Sequence, residues 1–272
     1  MDAAIRRCRR GRPDGGAQRL QAERVNHGFE RVERFPGNIG YILLRGFLGP
    51  DGAEEVVAVS MTSLHDTGAL IFDLRENGGG HPGMVALISS YLFGEEPVHL
   101  NDLYWREGDR TEEFWTLRHV AGVRYGTDKK VFILTSNQTF SAAEEFAYSL
   151  QVLKRATIVG ETTGGGAHPG EGDALLGRHG IFVPSGRAIN PITRRNWEGT
   201  GVVPDVEVNA NLALETALSI ASGTLAEREG GGGRSGRDGG EPCLREQRLV
   251  DETSLRHPPA LLGAALVPLP SG

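Results

Sequence analysis

Ser141 stands where a nucleophile gains most. It follows the apolar run Val131-Phe-Ile-Leu-Thr135 and the stretch Ser136-Asn-Gln-Thr-Phe140, and it opens a helical pattern in which Phe146, Leu150 and Leu153 share one face. A serine at such a strand–turn–helix junction lies beside the first free N–H groups of the helix. Those groups, together with the helix dipole, can stabilise a developing oxyanion. The same residues also admit a simpler role, because Ser141 and Glu144 form the S-x-x-E of a capping box, in which the serine only closes the helix end. Chemistry at Ser141 therefore requires a second motif.

That motif lies upstream. Ala69-Leu-Ile-Phe-Asp-Leu-Arg75 reads as a buried strand, Glu76-Asn-Gly-Gly-Gly80 follows it, and an apolar periodic run extends from His81 to Phe93. Pro82 near the start of that run is a helix-opening signal. Three glycines between strand and helix leave backbone N–H groups open to a close-approaching anion. Asn77-Gly78 is also a hairpin-turn pair, but the helical pattern after it disfavours a hairpin. A phosphate loop would end in Lys followed by Ser or Thr, which is absent here. An oxyanion hole fits the loop better.

Five stretches in order carry a family likeness: Gly37 to Phe47, Asp73 to Gly80, Thr139 to Phe146, Gly160 to Pro169 and Asn196 to Asp205. With them the chain resembles the tail-specific (C-terminal processing) serine peptidase family, nearest its branch containing the tricorn core and interphotoreceptor retinoid-binding protein repeats. The likeness runs from about Gly28 to about Ser222. It implies an α/β fold of the Clp-protease/crotonase-like ββα superhelix type. It also implies Ser141 as nucleophile and an oxyanion hole made by the N–H of Ala142 with that of Gly79 or Gly80. Glu198, in Trp197-Glu198-Gly199, resembles the acidic residue that supports the site; its plain alternative is a solvated loop carboxylate.

The general base is where the likeness departs. One branch uses a lysine in Gly-Lys-Gly after the nucleophilic helix, and the corresponding place here reads Thr163-Gly-Gly-Gly166. Lys154 lies too far along the helix from Ser141, roughly 20 Å at about 1.5 Å per residue. The histidine-using branch carries Asp-x-His upstream of the first core strand, and this chain has only His27 there, expected as a surface residue. His168, on the loop that the resemblance places beside the site, and His81, after the glycine loop, are the remaining candidates. Imidazole has a suitable pKa, but each can equally be a structural or exposed loop histidine, and spacing does not establish the geometry. The expectation is a serine peptidase working through an acyl-enzyme on Ser141. The alternatives are a non-catalytic module holding an apolar, retinoid- or fatty-acid-like ligand, a degenerate fragment and, more remotely, a crotonase-type acyl-CoA enzyme. No PDZ-like domain fits ahead of Gly37, which argues against dedicated recognition of substrate tails.

The elements that must position these residues follow from the pattern. Phe29–Phe35 and Ile39–Phe47 read as strands joined by the turn at Pro36-Gly-Asn38, and Asp51–Leu64 as a helix. The strand–glycine loop–helix unit from Ala69 to Phe93 comes next. His99 to His119 reads as an aromatic and charged excursion over the site. The strand Val131–Thr135 and the helix from Ser141 repeat the theme. Short strands at Ala156–Val159, Gly180–Val183 and Val202–Val208 and a helix at Asn211–Ala221 close the domain. The expected organisation is an irregular Arg-rich arm over residues 1–27, standing where a helical N-terminal domain would lie, then a protease domain over 28–222. A low-complexity, disordered tail is expected over 223–272.

Composition limits the remaining classes. Of the 272 residues 39% are hydrophobic and 24% charged, as in ordinary globular proteins, and the net charge of -6 gives no basis for a nucleic-acid partner. Cys8 and Cys243 lie outside the expected domain and lack metal-ligand spacing, so no disulfide framework, metal or cofactor is expected. No apolar run approaches the roughly 20 residues of a membrane span. The N-terminus has charge but no apolar signal-peptide core, so a cytoplasmic location is the default expectation, although relatives are often exported. A peptide or protein substrate is the expected partner, and a homo-oligomer is left open.

Overall fold

The apolar runs become the centre of one sheet. A computed structural model describes residues 15–175 and 179–231. Along the chain run α1 (Gly15–Arg24), β1 (Phe29–Phe35), β2 (Ile39–Leu44), α2 (Glu54–Ser63), β3 (Ala69–Asp73), α3 (Pro82–Ser90), β4 (His99–Trp105) and β5 (Arg110–Trp115). They are followed by β6 (Lys130–Thr135), α4 (Ala142–Val152), β7 (Thr157–Gly160), β8 (Gly170–Leu175), β9 (His179–Pro184), β10 (Gly186–Ile189), β11 (Val206–Glu207) and α5 (Ala213–Gly231). Six strands form a sheet in the order β1-β2-β3-β6-β7-β11. The β1–β2 pair is antiparallel and the other four pairings are parallel. A three-stranded antiparallel sheet β10-β4-β5 and the two-stranded pair β8–β9 complete the mixed α/β architecture.

Helices cover both faces of the main sheet, which is why its strands read as unbroken apolar runs rather than as alternation. Ile39, Tyr41, Leu43, Ala69, Ile71, Phe132 and Leu134 form one face and pack with Ala213, Ala217 and Ala221 of α5. Those alanines recur every fourth residue and let the helix lie close on the strands. Ile42, Leu44, Leu70, Phe72, Val131 and Ile133 take the opposite face, with Val57, Met61, Met84, Ile88, Phe146 and Leu150 of α2, α3 and α4. The Phe146 ring lies 5.4 Å from that of Phe47 and 5.2 Å from that of Phe72. Because α3 and α4 each follow a parallel strand, both N-termini open at the carboxyl edge of the sheet, where α/β proteins place their ligands.

Several elements differ from expectation. Residues 15–24, expected to be irregular, are helical. They carry no apolar stripe, but Ala, Gln, Leu, Glu and Arg favour helix, and Arg19 pairs with Glu23 one turn on at 2.8 Å. His27, expected at the surface, is 2% exposed. The expected strand Val202–Val208 shrinks to β11, since Pro204 has no N–H to give to a ladder. The excursion at His99–His119 is a β4–β5 hairpin stacked edge to edge on β10. Helix α5 continues past Ser222 to Gly231, and the expected tail beyond it, like the arm ahead of residue 15, lies outside the described residues.

One group under α4 is out of keeping with its surroundings. Glu145 is 4% exposed, and among the described residues its Oε1, the amide atoms of Asn101 and the Ser89 hydroxyl are buried without a partner at hydrogen-bond geometry. Burial pushes the Glu145 carboxyl up to about 8 from an ordinary 4.5. Between these values the folded chain keeps a proton that the unfolded chain has released, so stability is greatest below the unfolded pKa and falls as pH rises towards 8. The melting temperature of the parent is expected to drop over this interval more steeply than that of Glu145→Gln. Parallel pH profiles for the two proteins would remove this assignment.

Candidate active site

The junction before α4 is held in a conformation that the chain does not adopt unaided. Ser141 has φ 55° and ψ −120°, on the side of φ that residues with a Cβ avoid. Its neighbours secure it. Phe140 N–H donates to Asn77 O at 3.0 Å, the buried Thr139 hydroxyl donates to Leu74 O at 2.8 Å, and Gly164 N–H donates to Thr139 O at 3.0 Å. A capping box is recognisable, but only its Glu144 half closes to a hydrogen bond, from Ser141 N–H to Oε2 at 2.7 Å. The Ser141 hydroxyl makes no cap hydrogen bond.

The glycine loop lies against this junction. Gly79 and Gly80 have φ of 102° and 144°. A Cβ on Gly79 would stand 2.7 Å from Phe140 O and from the Ser141 Cβ, and one on Gly80 would stand 2.0 Å from Phe47 O. Only glycine fits either place. Asn77, fully buried, organises the loop, donating from Nδ2 to Leu44 O at 2.8 Å and accepting from Gly79 N–H at 2.9 Å. Phe47 N–H donates to Gly79 O, and His81 N–H to Phe47 O. Of the two glycine N–H groups considered for the oxyanion hole, that of Gly79 is therefore occupied by Asn77. The N–H groups of Gly80 and Ala142 have no partner among the described residues.

A third loop, after β7, is clamped to the same place. The fully buried Glu144 carboxylate accepts from Thr163 Oγ1 and Gly165 N–H, both at 2.6 Å, and from Gly166 N–H at 2.9 Å, in addition to Ser141 N–H. Trp197 Nε1 donates to Gly166 O at 3.0 Å, and Gly199 N–H to Gly165 O at 2.9 Å. Ala167 N–H donates to one oxygen of Glu198 at 2.7 Å, and the other oxygen lies 3.7 Å from His168 Nδ1. The two side chains are 36% and 40% exposed, so solvent reaches the pair. The structure thus brings His168 and Glu198 together.

The other base candidates are committed or displaced. His81 Nδ1 accepts from Gly83 N–H at 3.0 Å as the N-cap of α3. A neutral imidazole accepting at Nδ1 carries its proton on Nε2 and has no lone pair left for a substrate. His27 is buried ahead of β1, and its Nδ1 has no partner among the described residues. In the glycine run where one branch of the family has its lysine, a Cβ on Gly166 would fall 2.1 Å from the Phe140 ring.

What the sequence did not reveal is the reach of Glu144, Asn77 and Thr139. Glu144 was visible as a capping residue, but three of its four donors come from a loop about 20 residues further on. Among the described residues no group of three or more His, Cys, Asp or Glu could hold a metal, and no helix is long and apolar enough to cross a membrane.

The chain is similar to known proteins in both sequence and fold. The carboxyl-terminal-processing protease of Synechocystis sp. is 34% identical over 206 residues, covering 70% of this chain and 46% of that protein. The tail-specific protease of Haemophilus influenzae is 31% identical over 155 residues, covering 54% of this chain and 20% of that protein. The chain thus spans less than half the length of these curated relatives. In fold it is similar to the solved photosystem II D1 C-terminal processing protease, with a TM-score of 0.51 at 24% identity over 71% of this chain and 48% of that one. Residues 38–208, which contain the serine junction, both glycine loops and Glu198, match Peptidase family S41, and the chain belongs to that family.

Proposed function

We propose that this chain carries the catalytic centre of a serine-type peptidase acting on peptides or proteins. The observation that carries the reading is the contact of the Gly79 backbone with a strained Ser141, flanked by the unpartnered N–H groups of Gly80 and Ala142. Ser141 Oγ attacks the scissile carbonyl while His168 takes its proton. The N–H groups of Gly80 and Ala142 hold the resulting oxyanion, and Glu198 stabilises the imidazolium. Collapse of the tetrahedral intermediate expels the amine, which receives the proton from His168. Water, activated by the same imidazole, then releases the acyl-enzyme. The net charge of -6 supports a peptide rather than a nucleic-acid partner. The pairing of His168 with Glu198 weighs against an apolar-ligand module, which rested on the lack of a base.

The two histidines separate under test. His168→Ala is expected to lower the rate of Ser141 labelling by a fluorophosphonate about 10³-fold or more, while His81→Ala stays within about threefold of the parent. His168→Ala labelling at the parent rate would overturn the base assignment.

A further inference from the structure

The carboxyl edge of the sheet continues past the candidate site on the side away from His168. There a cavity of about 470 Å³ opens, lined by Val25, Gly28, Glu30, Arg45, Gly46 and Leu48. It adjoins the glycine loop directly: Phe47 N–H bonds Gly79 O, and a Cβ on Gly46 would stand 3.6 Å from that same oxygen. Gly79 in turn abuts Ser141. In strand order, the cavity sits at β1 and β2, the glycine loop after β3, Ser141 after β6 and His168 after β7.

We infer that this cavity is the subsite for a large apolar side chain on the acyl half of the scissile bond. The inference rests on the proposed roles of Ser141 and His168. The proton taken by His168 goes to the leaving amine, so the leaving half of a bound peptide lies towards β7. The acyl half then runs over the glycine loop towards β2, where the cavity is. Its charges are internally matched, since Arg45 Nε bonds Glu30 at 2.5 Å and Arg45 also pairs with Glu76. What remains to meet a ligand is Val25, Leu48 and two positions without side chains. A pocket of this volume and chemistry takes an aromatic or long aliphatic group.

The two glycines differ in kind. Gly28 has φ 92°, and a Cβ there would stand 2.2 Å from Gly46 O, so the backbone demands it. Gly46 has no such conformation, and the nearest atoms to a Cβ there would be Leu48 Cδ2 at 3.5 Å, Gly79 O at 3.6 Å and Leu48 Cγ at 3.9 Å, ordinary contacts. Nothing in the backbone excludes a side chain at 46, and its lack keeps the cavity open.

Peptidyl diphenyl phosphonates test the subsite, because Ser141 Oγ displaces phenoxide at phosphorus and the residue bearing the phosphonate is varied. With Phe, Ala and Lys in that place, the parent is expected to label faster with Phe than with Ala. Gly46→Leu is expected to lower the Phe-to-Ala rate ratio about tenfold or more. Leu48→Asp is expected to raise the Lys-to-Phe ratio by a similar factor, and it decides the matter should Gly46→Leu lose its cooperative melt. Ratios left unchanged in the folded variants, or labelling by a small fluorophosphonate but by none of the peptidyl probes, overturn the subsite alone. Failure of every probe, the fluorophosphonate included, overturns the nucleophile and the subsite with it.

Discussion

Ser141→Ala is expected to abolish covalent labelling by a fluorophosphonate and to lower peptide hydrolysis by about 10³-fold or more, because no acyl-enzyme can form without the hydroxyl. The conformation of the residue adds a second readout. At φ 55° and ψ −120° a side chain costs on the order of 1 kcal/mol that glycine does not incur. Ser141→Gly is therefore expected to be equally inactive yet to melt higher than Ser141→Ala. A serine serving only as a helix cap gives the opposite order of consequences: some stability lost, labelling untouched. Labelling of Ser141→Ala at the parent rate, with the adduct mapped elsewhere, would remove Ser141 from the mechanism.

Glu144→Gln is expected to destabilise the fold by about 2–4 kcal/mol and to slow labelling by about 10²-fold at temperatures well below its melt. Gln serves a capping box as well as Glu, so a residue that only caps α4 is expected to lose less than about 1 kcal/mol on this change. The carboxylate here does more. Each of its oxygens accepts two hydrogen bonds: Oε1 from Thr163 Oγ1 and Gly165 N–H, Oε2 from Ser141 N–H and Gly166 N–H. The amide of glutamine turns one of those acceptors into a donor facing donors, at a fully buried position. The loop bearing His168 is then released from the junction bearing Ser141. Calorimetric melting and labelling kinetics on the same samples check both parts, and a small loss in each would reduce Glu144 to its capping role.

The main sheet was legible because its strands are buried on both faces and so read as plain apolar runs, and α3 and α4 because Pro82 and S-x-x-E mark their starts. Helix α1 was not, since it buries little more than Ala22 and carries no stripe to read. The serine junction and the glycine loop were visible as local patterns. Which glycine keeps a free N–H was not, because the answer depends on the Asn77 side chain turning back onto Gly79. The same applies to the histidines: His81 and His168 both follow glycines, and only the cap hydrogen bond from Gly83 and the carboxylate of Glu198 tell them apart. Spacing locates a loop along the chain, and contacts made across about 20 to 30 residues decide what it does.

The Phe140 ring, 45% exposed, occupies the volume into which any side chain at 166 would project. Lysine alone at 166 must drive an aromatic ring into water, and a small residue alone at 140 leaves a vacancy with no amine to fill it. Positions 140 and 166 therefore change as a pair or not at all: a side chain at 166 finds room only where the ring at 140 has given way to a smaller residue.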